Sequence, residues 1–501
     1  MSETEHDLGP LTFCADGPLD AVVARVAEAT GAQPEPPRPV ERTWLDSFDW
    51  RLFGAGERLV AEPGPEGVRL WWTRGERLHR AIDVPAAPRF ARDLQGPAGV
   101  DLGKRLDVRA LLPRVTVAGQ AVPLQVRDGL GKAVVHVEVA ALAVGEAALP
   151  VRVAIRPVRG HDDRARGASY ALQQADLRPA EPLLEVALAA IGARPGDYDA
   201  KVELAFADDE PAQRAVRRVL RGLLDVVVAN EAGTRDDLDS EFLHDLRVAV
   251  RKTRSVLGQL ARVFPADAVA VHKEALRWLG QVTSPLRDLD VFLLDLPGFE
   301  ADVGRLGAVR ELIAERHATA RDELVAVLDS DRYRETIESW RAFLAEDSAG
   351  PDGRAPIDAV VRARIRKLAK KARQGAAAID AETPPEALHD LRKLAKKLRY
   401  LTELFASRFD PAAASDAAKR VKALQSKLGT LQDLAVQGPK VRGIAEALLA
   451  RGDVDATDLM RAGALVDRLE RKRLRLRDAL AEGYDAQGLR EAYKQLLGSH
   501  P

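Results

Sequence analysis

Cysteine residues and long apolar runs are what this sequence most conspicuously lacks. Cys14 is the only cysteine among 501 residues, so no disulfide can form within the chain, and a reducing compartment is favoured. No apolar run approaches the ~20 residues that a membrane span needs. Residues 1–7 are acidic and lack the basic start and apolar stretch of a signal peptide. These absences predict a cytoplasmic protein without a membrane partner.

Aromatic side chains and net charge are also scarce. Phe, Trp and Tyr make up 5% of the chain, which disfavours binding by base stacking. The 75 Lys and Arg residues are balanced by 76 Asp and Glu residues, for a formal net charge of −1. This balance argues against a generally basic protein that binds nucleic acid. Any strongly positive site must therefore come from where a few basic residues are placed.

Two segments, 244–254 and 389–400, repeat the same order of residues. Each begins His-Asp-Leu-Arg and continues with basic residues at the same later positions. On a helix of ~3.6 residues per turn, the offsets 0, 3, 7 and 10 fall on one face. The first stripe comprises His244, Arg247, Arg251 and Arg254, with Lys252 at its edge. The second comprises His389, Arg392, Lys396 and Arg399, with Lys393 and Lys397 at its edge.

A third basic row lies just upstream of the second stripe. Residues 363–372 contain no acidic residue, and three of their cations share one helical face: Arg364, Lys367 and Lys371. This face is predicted to join the two stripes around one anion site, whereas Arg362, Arg366 and Arg373 are predicted to face solvent. Residues 468–477 are also rich in Arg and either extend the site or form surface.

Each of these features also has a simpler interpretation. A basic run on a helix is usually a solvated face, but here the run is duplicated, starts with His in both copies and contains few carboxylates. The histidines could equally be buried hydrogen-bonding residues. Since no second metal-ligand residue recurs at metal spacing in both copies, neither a metal site nor a cofactor is predicted. Asp245 and Asp390 fit charges at helix starts better than catalytic acids, so no catalytic residue is assigned.

The two His-Asp-Leu-Arg segments resemble the defining motif of the CHAD family, the conserved-histidine α-helical domains. The resemblance extends from about 207 to 500 and includes residues 279–290 and 428–433. It implies an all-helical domain of two similar bundles around a basic channel that binds inorganic polyphosphate without catalysis. On this basis the CHAD domain spans 207–501, with halves at about 207–348 and 354–501.

Residues 1–205 are strand-rich and resemble the CYTH family. Short apolar runs are separated by Gly and Pro, and residues 127–132 predict a hairpin. The resemblance rests on residues 44–52, 128–131 and 137–139, and it implies an antiparallel barrel that binds triphosphate and a divalent metal. Residues 3–7 lack the lysine of the family's first strand, and residues 151–159 carry arginines in place of acidic ligands. A degenerate CYTH-like domain is therefore expected.

The sequence as a whole predicts an α+β multidomain protein: an N-terminal CYTH-like antiparallel β-barrel followed by two helical bundles. Its predicted function is non-catalytic binding of inorganic polyphosphate, with association with polyphosphate granules as a consequence. The alternative is a metal-dependent inorganic triphosphatase acting through the N-terminal domain. Nucleic-acid binding is a third, less favoured reading, and no protein partner is indicated.

Overall fold

The chain divides sharply into a sheet and a set of helices. The computed structural model describes residues 11–75, 77–380, 382–452 and 455–498. The backbone contacts form two compact units, Met1–Asp199 and Ala200–Pro501. They are called the sheet unit and the helical unit below. Among the described residues, no helix combines the length and apolar character needed to cross a bilayer.

The described part of the sheet unit contains eleven strands and five α-helices. The strands are β1 (Thr12–Ala15), β2 (Gln33–Pro34), β3 (Arg38–Asp46), β4 (Glu57–Gly64), β5 (Gly67–Arg74), β6 (Arg77–Val84), β7 (Leu112–Arg127), β8 (Ala133–Val144), β9 (Ala147–Ala148), β10 (Val151–Pro157) and β11 (Arg178–Pro179). The helices are α1 (Leu19–Thr30), α2 (Arg51–Gly54), α3 (Gly96–Leu106), α4 (Asp162–Gln174) and α5 (Leu183–Ala189).

All strand pairs in this sheet are antiparallel, and alternate side chains of the strands are buried. On β10, Val151, Val153 and Ile155 point into a core shared with α1 and α4. The predicted hairpin is present: β7 pairs with β8, and the Asp128 carboxylate accepts hydrogen bonds from two backbone amides of the turn. The alternation of apolar and polar residues thus sets which face of the sheet is buried.

The predicted closure of this sheet into a barrel is not confirmed. The strands pair along an open path, β11-β1-β10-β8-β7-β3-β4-β5-β6. Closure would require the outer strand β6 to pair with the far end of the path. That end is β11, only two residues long, which offers too short a ladder for the eight-residue β6.

The described part of the helical unit contains twelve α-helices. They are α6 (Ala212–Ala229), α7 (Glu231–Arg235), α8 (Ser240–Gln259), α9 (Ala266–Val282), α10 (Ser284–Val303), α11 (Gly307–Leu328), α12 (Asp331–Ala345), α13 (Ile357–Ala377), α14 (Pro385–Leu404), α15 (Pro411–Arg451), α16 (Ala456–Ala481) and α17 (Ala486–Gly498). The described residues of this unit form no strand beyond an isolated bridge between Pro211 and Pro356.

The two motif segments form helices α8 and α14, which contact each other. Leu246 and Val250 on α8 lie in the same apolar core as Leu391 and Leu398 on α14. Since these leucines and valines face the core, the basic residues between them are directed to the rim of the packed faces. Helix α8 is capped by Asp239, which accepts a hydrogen bond from the Glu241 amide.

Helix α15 is one continuous helix of 41 residues that runs through Gly429. Leu428 and Leu431 pack into the core around the motif helices, whereas Leu434 and Val441 pack into a second apolar core. Burial on both sides of Gly429 favours an unbroken helix over a turn, despite the weak helix propensity of glycine.

Two histidines of the helical unit have opposite surroundings, and their pKa values are shifted in opposite directions. His317 on α11 lies 2.8 Å, from Nε2 to Oδ1, from the buried carboxylate of Asp290 on α10, and this hydrogen bond raises the pKa of His317. His272 on α9 packs against the rings of Trp340 and Phe343, and its burial lowers its pKa.

We expect His317→Gln to lower the free energy of unfolding by about 1.5–3 kcal/mol under acidic conditions, where the charged pair forms. Because the folded-state pKa lies above the usual 6.5, this stabilisation is complete below pH 6.5 and is lost as the pH rises through the folded value. Urea unfolding at several pH values measures the difference between variant and wild type.

His272→Gln is the matched contrast. The pKa of His272 is lowered from 6.5. The wild-type protein therefore loses stability as the pH falls below 6.5, because the buried ring must then take up a proton. His272→Gln does not lose stability in this way. If the stability differences of both variants were independent of pH, the two assigned environments would be wrong.

Candidate anion-binding site

Helices α8, α9 and α14 enclose a cavity of about 630 Å³, called the basic cleft below. Seven cationic side chains and one carboxylate line it. The cations are Arg251, Arg254, Lys273, Arg277, Lys393, Lys396 and Lys397, and the carboxylate belongs to Glu274. Ser255, Ala270 and Tyr400 complete the lining. The cleft therefore combines residues of both motif helices with residues of a third.

The two basic stripes approach each other closely enough to interact electrostatically. The pKa of Lys396 is lowered to about 8, first by burial and then by the positive charges of Arg392 and Arg251. Arg392 lies on the same helix as Lys396, but Arg251 lies on the other motif helix. Burial and the neighbouring charge of Arg277 likewise lower the pKa of Arg254. Cations that disfavour each other's charged forms are held together here by packing elsewhere on their helices.

Arg247 and Arg392, which have the same position in the two motifs, are each held by an acceptor from another helix or its end. The Arg247 Nη1 atom donates to the Gly280 carbonyl at 3.0 Å and to Thr283 Oγ1 at 2.7 Å. Burial and the charge of Arg251 lower the pKa of Arg247 to about 10. Arg392 Nη2 lies 3.4 Å from Asp433 Oδ1 on α15. These contacts fix both guanidinium groups, and neither arginine is among the residues that line the cleft.

Several buried donors of the stripes make no hydrogen bond to any described residue. They are the Nε atoms of Arg247, Arg251, Arg392 and Arg399. The hydroxyl group of Ser255, which lines the cleft, also makes no hydrogen bond to a described residue. Buried donors are costly when unpaired, and guanidinium donors pair well with the oxygen atoms of a phosphate. These arginines therefore carry buried donors that the described residues do not satisfy.

The motif histidines do not line the basic cleft. His389 is half-buried, and its Nδ1 atom lies 3.1 Å from Gln432 Oε1 on α15. His244 is also half-buried, on α8. For His389, the geometry fits the simpler reading of a hydrogen-bonding residue that joins two helices.

Two further residues of the predicted set, Lys252 and Arg399, lie in a different place. They line a separate cavity of about 1180 Å³ together with residues 201–205 and 402–418. Arg399 Nε lies 3.1 Å from Glu403 Oε1, one helical turn along α14. Lys252 is 9% exposed and lies about 100° around α8 from Arg251. The structure does not bring these two residues to the cleft.

The basic row that was predicted on α13 also lies outside the basic cleft. Arg364 and Lys367 line a groove of about 580 Å³ beside Arg262 and Asp352. The Arg364 Nε atom donates to Gln259 Oε1 at 3.1 Å, and Lys371 is exposed. The shared face predicted from the sequence exists on α13, but it does not face the cleft.

The basic segment 468–477 contributes to a cavity of about 1240 Å³ between α10, α15 and α16. Four cations from this segment line it, but so do four aspartates: Asp295, Asp302, Asp433 and Asp467. Arg468 is paired with Asp302 at 2.8 Å, and burial together with Asp433 raises the pKa of Asp295. This cavity has mixed charge, whereas the basic cleft has almost only positive charge.

Sequence reasoning missed Lys273, Arg277 and Glu274 on α9. Lys273 and Arg277 are four residues apart, so they share one face of the helix, and this spacing was a usable signal. This signal was weak, because the second half of the repeat has no matching pair of cations four residues apart.

Several acidic residues of the sheet unit are engaged by arginines. The carboxylate of Glu138 accepts hydrogen bonds from Arg38 and Arg42, each at 2.7 Å, and Arg42 also donates to Glu62 at 2.6 Å. No group of three or more potential metal ligands occurs among the described residues. The acidic pattern at residues 3–7 lies outside the described residues.

Comparisons with known proteins bear on the helical unit. Residues 218–442 match the model of the CHAD domain family. Two uncharacterized proteins of Mycobacterium tuberculosis, from strains CDC 1551 and H37Rv, are each 28% identical over 239 residues. These alignments cover 45% of this chain and 44% of each relative, so the chain spans less than half the length of these relatives.

Two solved structures are also similar. The crystal structure of the CHAD domain from the plant Ricinus communis is 22% identical, with a TM-score of 0.47, over 60% of this chain and 96% of that one. PptA from Streptomyces chartreusis is 14% identical, with a TM-score of 0.42, over 57% of this chain and 100% of that one. The matched residues 218–442 contain both motif helices, so this part of the helical unit is similar to the CHAD domain family.

Proposed function

We propose that the helical unit binds inorganic polyphosphate in the basic cleft and does not cleave it. The observation that carries this proposal is the convergence of seven cations from α8, α9 and α14 around a cavity with one carboxylate. The resemblance of the two motif helices to those of polyphosphate-binding CHAD domains supports the same ligand.

Polyphosphate has the chemistry that such a cleft can bind. It is a flexible chain with about one negative charge per phosphate and no bases or chiral groups to recognise. A binder therefore needs a row of cations a few ångströms apart rather than a precise set of donors. Cations three or four residues apart on a helix are separated by about 5–6 Å. Arginine can hold one phosphate with two N–H groups, and lysine adds a mobile positive charge.

The cleft suits polyphosphate better than single-stranded nucleic acid. Proteins that bind single strands without sequence preference stack bases on exposed aromatic rings. Tyr400 is the only aromatic residue in the described lining of the cleft, and it is 5% exposed. A polyanion without bases has no group that could stack on such a ring, so its binding does not require one. Association with polyphosphate granules and a location in the cytoplasm are part of this proposal.

We expect Arg251→Glu and Lys396→Glu each to weaken binding of long-chain polyphosphate by at least about tenfold, because each change replaces an attraction with a repulsion. Each variant should also show a shallower dependence of affinity on salt, since fewer counterions are released on binding. Fluorescence anisotropy with labelled polyphosphate in rising salt measures both quantities.

Lys371→Glu is the matched control for this experiment. It makes the same charge change on an exposed residue that is not among the lining residues of the cleft. Its affinity should stay within about twofold of wild type. If Lys371→Glu weakened binding as much as Lys396→Glu, binding would be due to a general attraction to the protein surface and not to the cleft.

We expect affinity for polyphosphate to decrease as the pH rises above about 8, where free Lys396 loses its proton. A bound polyanion favours the protonated lysine, so binding at this pH is accompanied by proton uptake. Calorimetry in two buffers with different heats of ionisation measures that uptake. Lys396→Arg keeps the charge over this range and should remove most of it; equal uptake in the variant would assign the proton to another group.

The sheet unit is not proposed to be an enzyme. A metal-dependent triphosphatase needs carboxylates that can ligate the ion, but the oxygen atoms of Glu138 are already bound by Arg38 and Arg42. We expect no phosphate release when the full chain is incubated with tripolyphosphate and Mg²⁺ or Mn²⁺. Release that is abolished in Glu138→Gln would establish the alternative function.

A further inference from the structure

Lys396 occupies an unusual place for a lysine, because it is half-buried in a cavity lined mainly by other cations. Charged groups from four helices surround it. They are Arg251 and Arg254 on α8, Lys273, Glu274 and Arg277 on α9, Arg392, Lys393, Lys397 and Arg399 on α14, and Asp433 on α15. Lys396 is thus a primary amine that borders a cavity lined by six other cationic side chains.

Burial and the positive neighbours also change the protonation of this amine. With a pKa of about 8, roughly a tenth of Lys396 is neutral at pH 7, whereas an ordinary lysine is neutral in well under a thousandth of molecules. Only the neutral amine is a nucleophile, and desolvation beside another cation is a known way of activating a lysine.

We propose that Lys396 is a site of covalent acylation by small acyl phosphates, which the basic cleft binds through their phosphate group. The neutral Nζ atom attacks the carbonyl carbon, and an amide bond forms. The bond between the carbonyl carbon and the phosphate oxygen breaks, and inorganic phosphate leaves with the proton released by the amine. No other reactant is required.

The lining of the cleft favours this class of donor over a neutral one. Arg251 and Arg254 can hold the phosphate group and stabilise the negative charge that develops on it as it leaves. Holding the donor next to the amine also raises the effective concentration of the reacting groups. Acylation removes the charge of Lys396, so it would weaken polyphosphate binding. That last consequence rests on the proposed function, but acylation itself does not.

The test is to incubate the full chain with acetyl phosphate at neutral pH and to follow each lysine by peptide mass spectrometry. Lys396 should be acetylated at least about tenfold faster than the exposed Lys371, which serves as an internal reference. Lys396→Arg should fold as wild type does, as shown by its circular dichroism and melting profile, and should lose only this modification. Equal rates at Lys396 and Lys371 would overturn the proposal.

A second comparison separates recognition of the phosphate from reactivity of the amine. Arg251→Gln should slow acetylation of Lys396 by acetyl phosphate more than acetylation by N-acetoxysuccinimide, which carries no phosphate. An equal slowing with both donors would show that the cleft does not recognise the acyl phosphate, and would contradict the proposal. Because no polyphosphate is present in these reactions, their outcome is independent of whether the cleft binds that polymer.

Discussion

The packing of α8 against α14 through their apolar faces is the interaction on which the candidate site depends. Leu246 and Val250 meet Leu391 and Leu398 in one buried core, and each such side chain contributes about 1.5–3 kcal/mol when it leaves water. The repulsion between Arg251 and Lys396 opposes this packing, since each disfavours the charge of the other. The apolar contacts are numerous enough to offset that repulsion, and the cations stay side by side. A basic cleft of this kind exists because the site lies at the rim of the faces that form the core, on the same helices.

Duplication of the motif does not produce a symmetric site. Arg254 and Arg399 occupy the same position in the two copies, yet Arg254 lines the cleft and Arg399 pairs with Glu403 in another cavity. Arg247 and Arg392 are more alike, because both are held by acceptors from a neighbouring helix or its end. The asymmetry follows from α9, which covers the first motif helix and supplies Lys273 and Arg277. A repeated sequence therefore specifies two similar helices, whereas the neighbours of each helix decide which of its residues share a cavity.

This distinction explains how much could be predicted from the sequence. Periodicity identified the motif helices and the face that carries Arg251, Arg254 and Lys396, because the positions of residues around one helix follow from its 3.6-residue turn. It also indicated the antiparallel sheet and its hairpin at Asp128. Periodicity could not predict how one helix is arranged relative to another. The α13 row has the predicted spacing but faces a different groove, and the contribution of α9 depends on a tertiary contact that leaves no mark within either repeat.

The same limit applies to the sheet and to α15. Whether a sheet closes depends on which strands meet at its two ends, and the brevity of β11 is a poor signal of this within a strand-rich sequence. The continuity of α15 through Gly429 depends on two cores that only the folded chain creates. In both cases contacts between residues distant in sequence decide the outcome, and local propensity does not report them.

The effect of a charged residue in this chain depends on whether an opposite charge is paired with it. In the sheet unit, Arg42 is held between Glu62 and Glu138, so its charge is neutralised by its neighbours. In the basic cleft, Arg251 and Lys396 have Glu274 as the only carboxylate among the described lining residues. The number of arginines and lysines is nearly the same as the number of acids in the whole chain, yet the field at the cleft is strongly positive because the acids are elsewhere. A polyanion that reaches the cleft meets cations with little compensating negative charge, whereas a paired cation such as Arg42 offers it little. The placement of the charges, and not their total number, therefore makes the cleft a site for an anion.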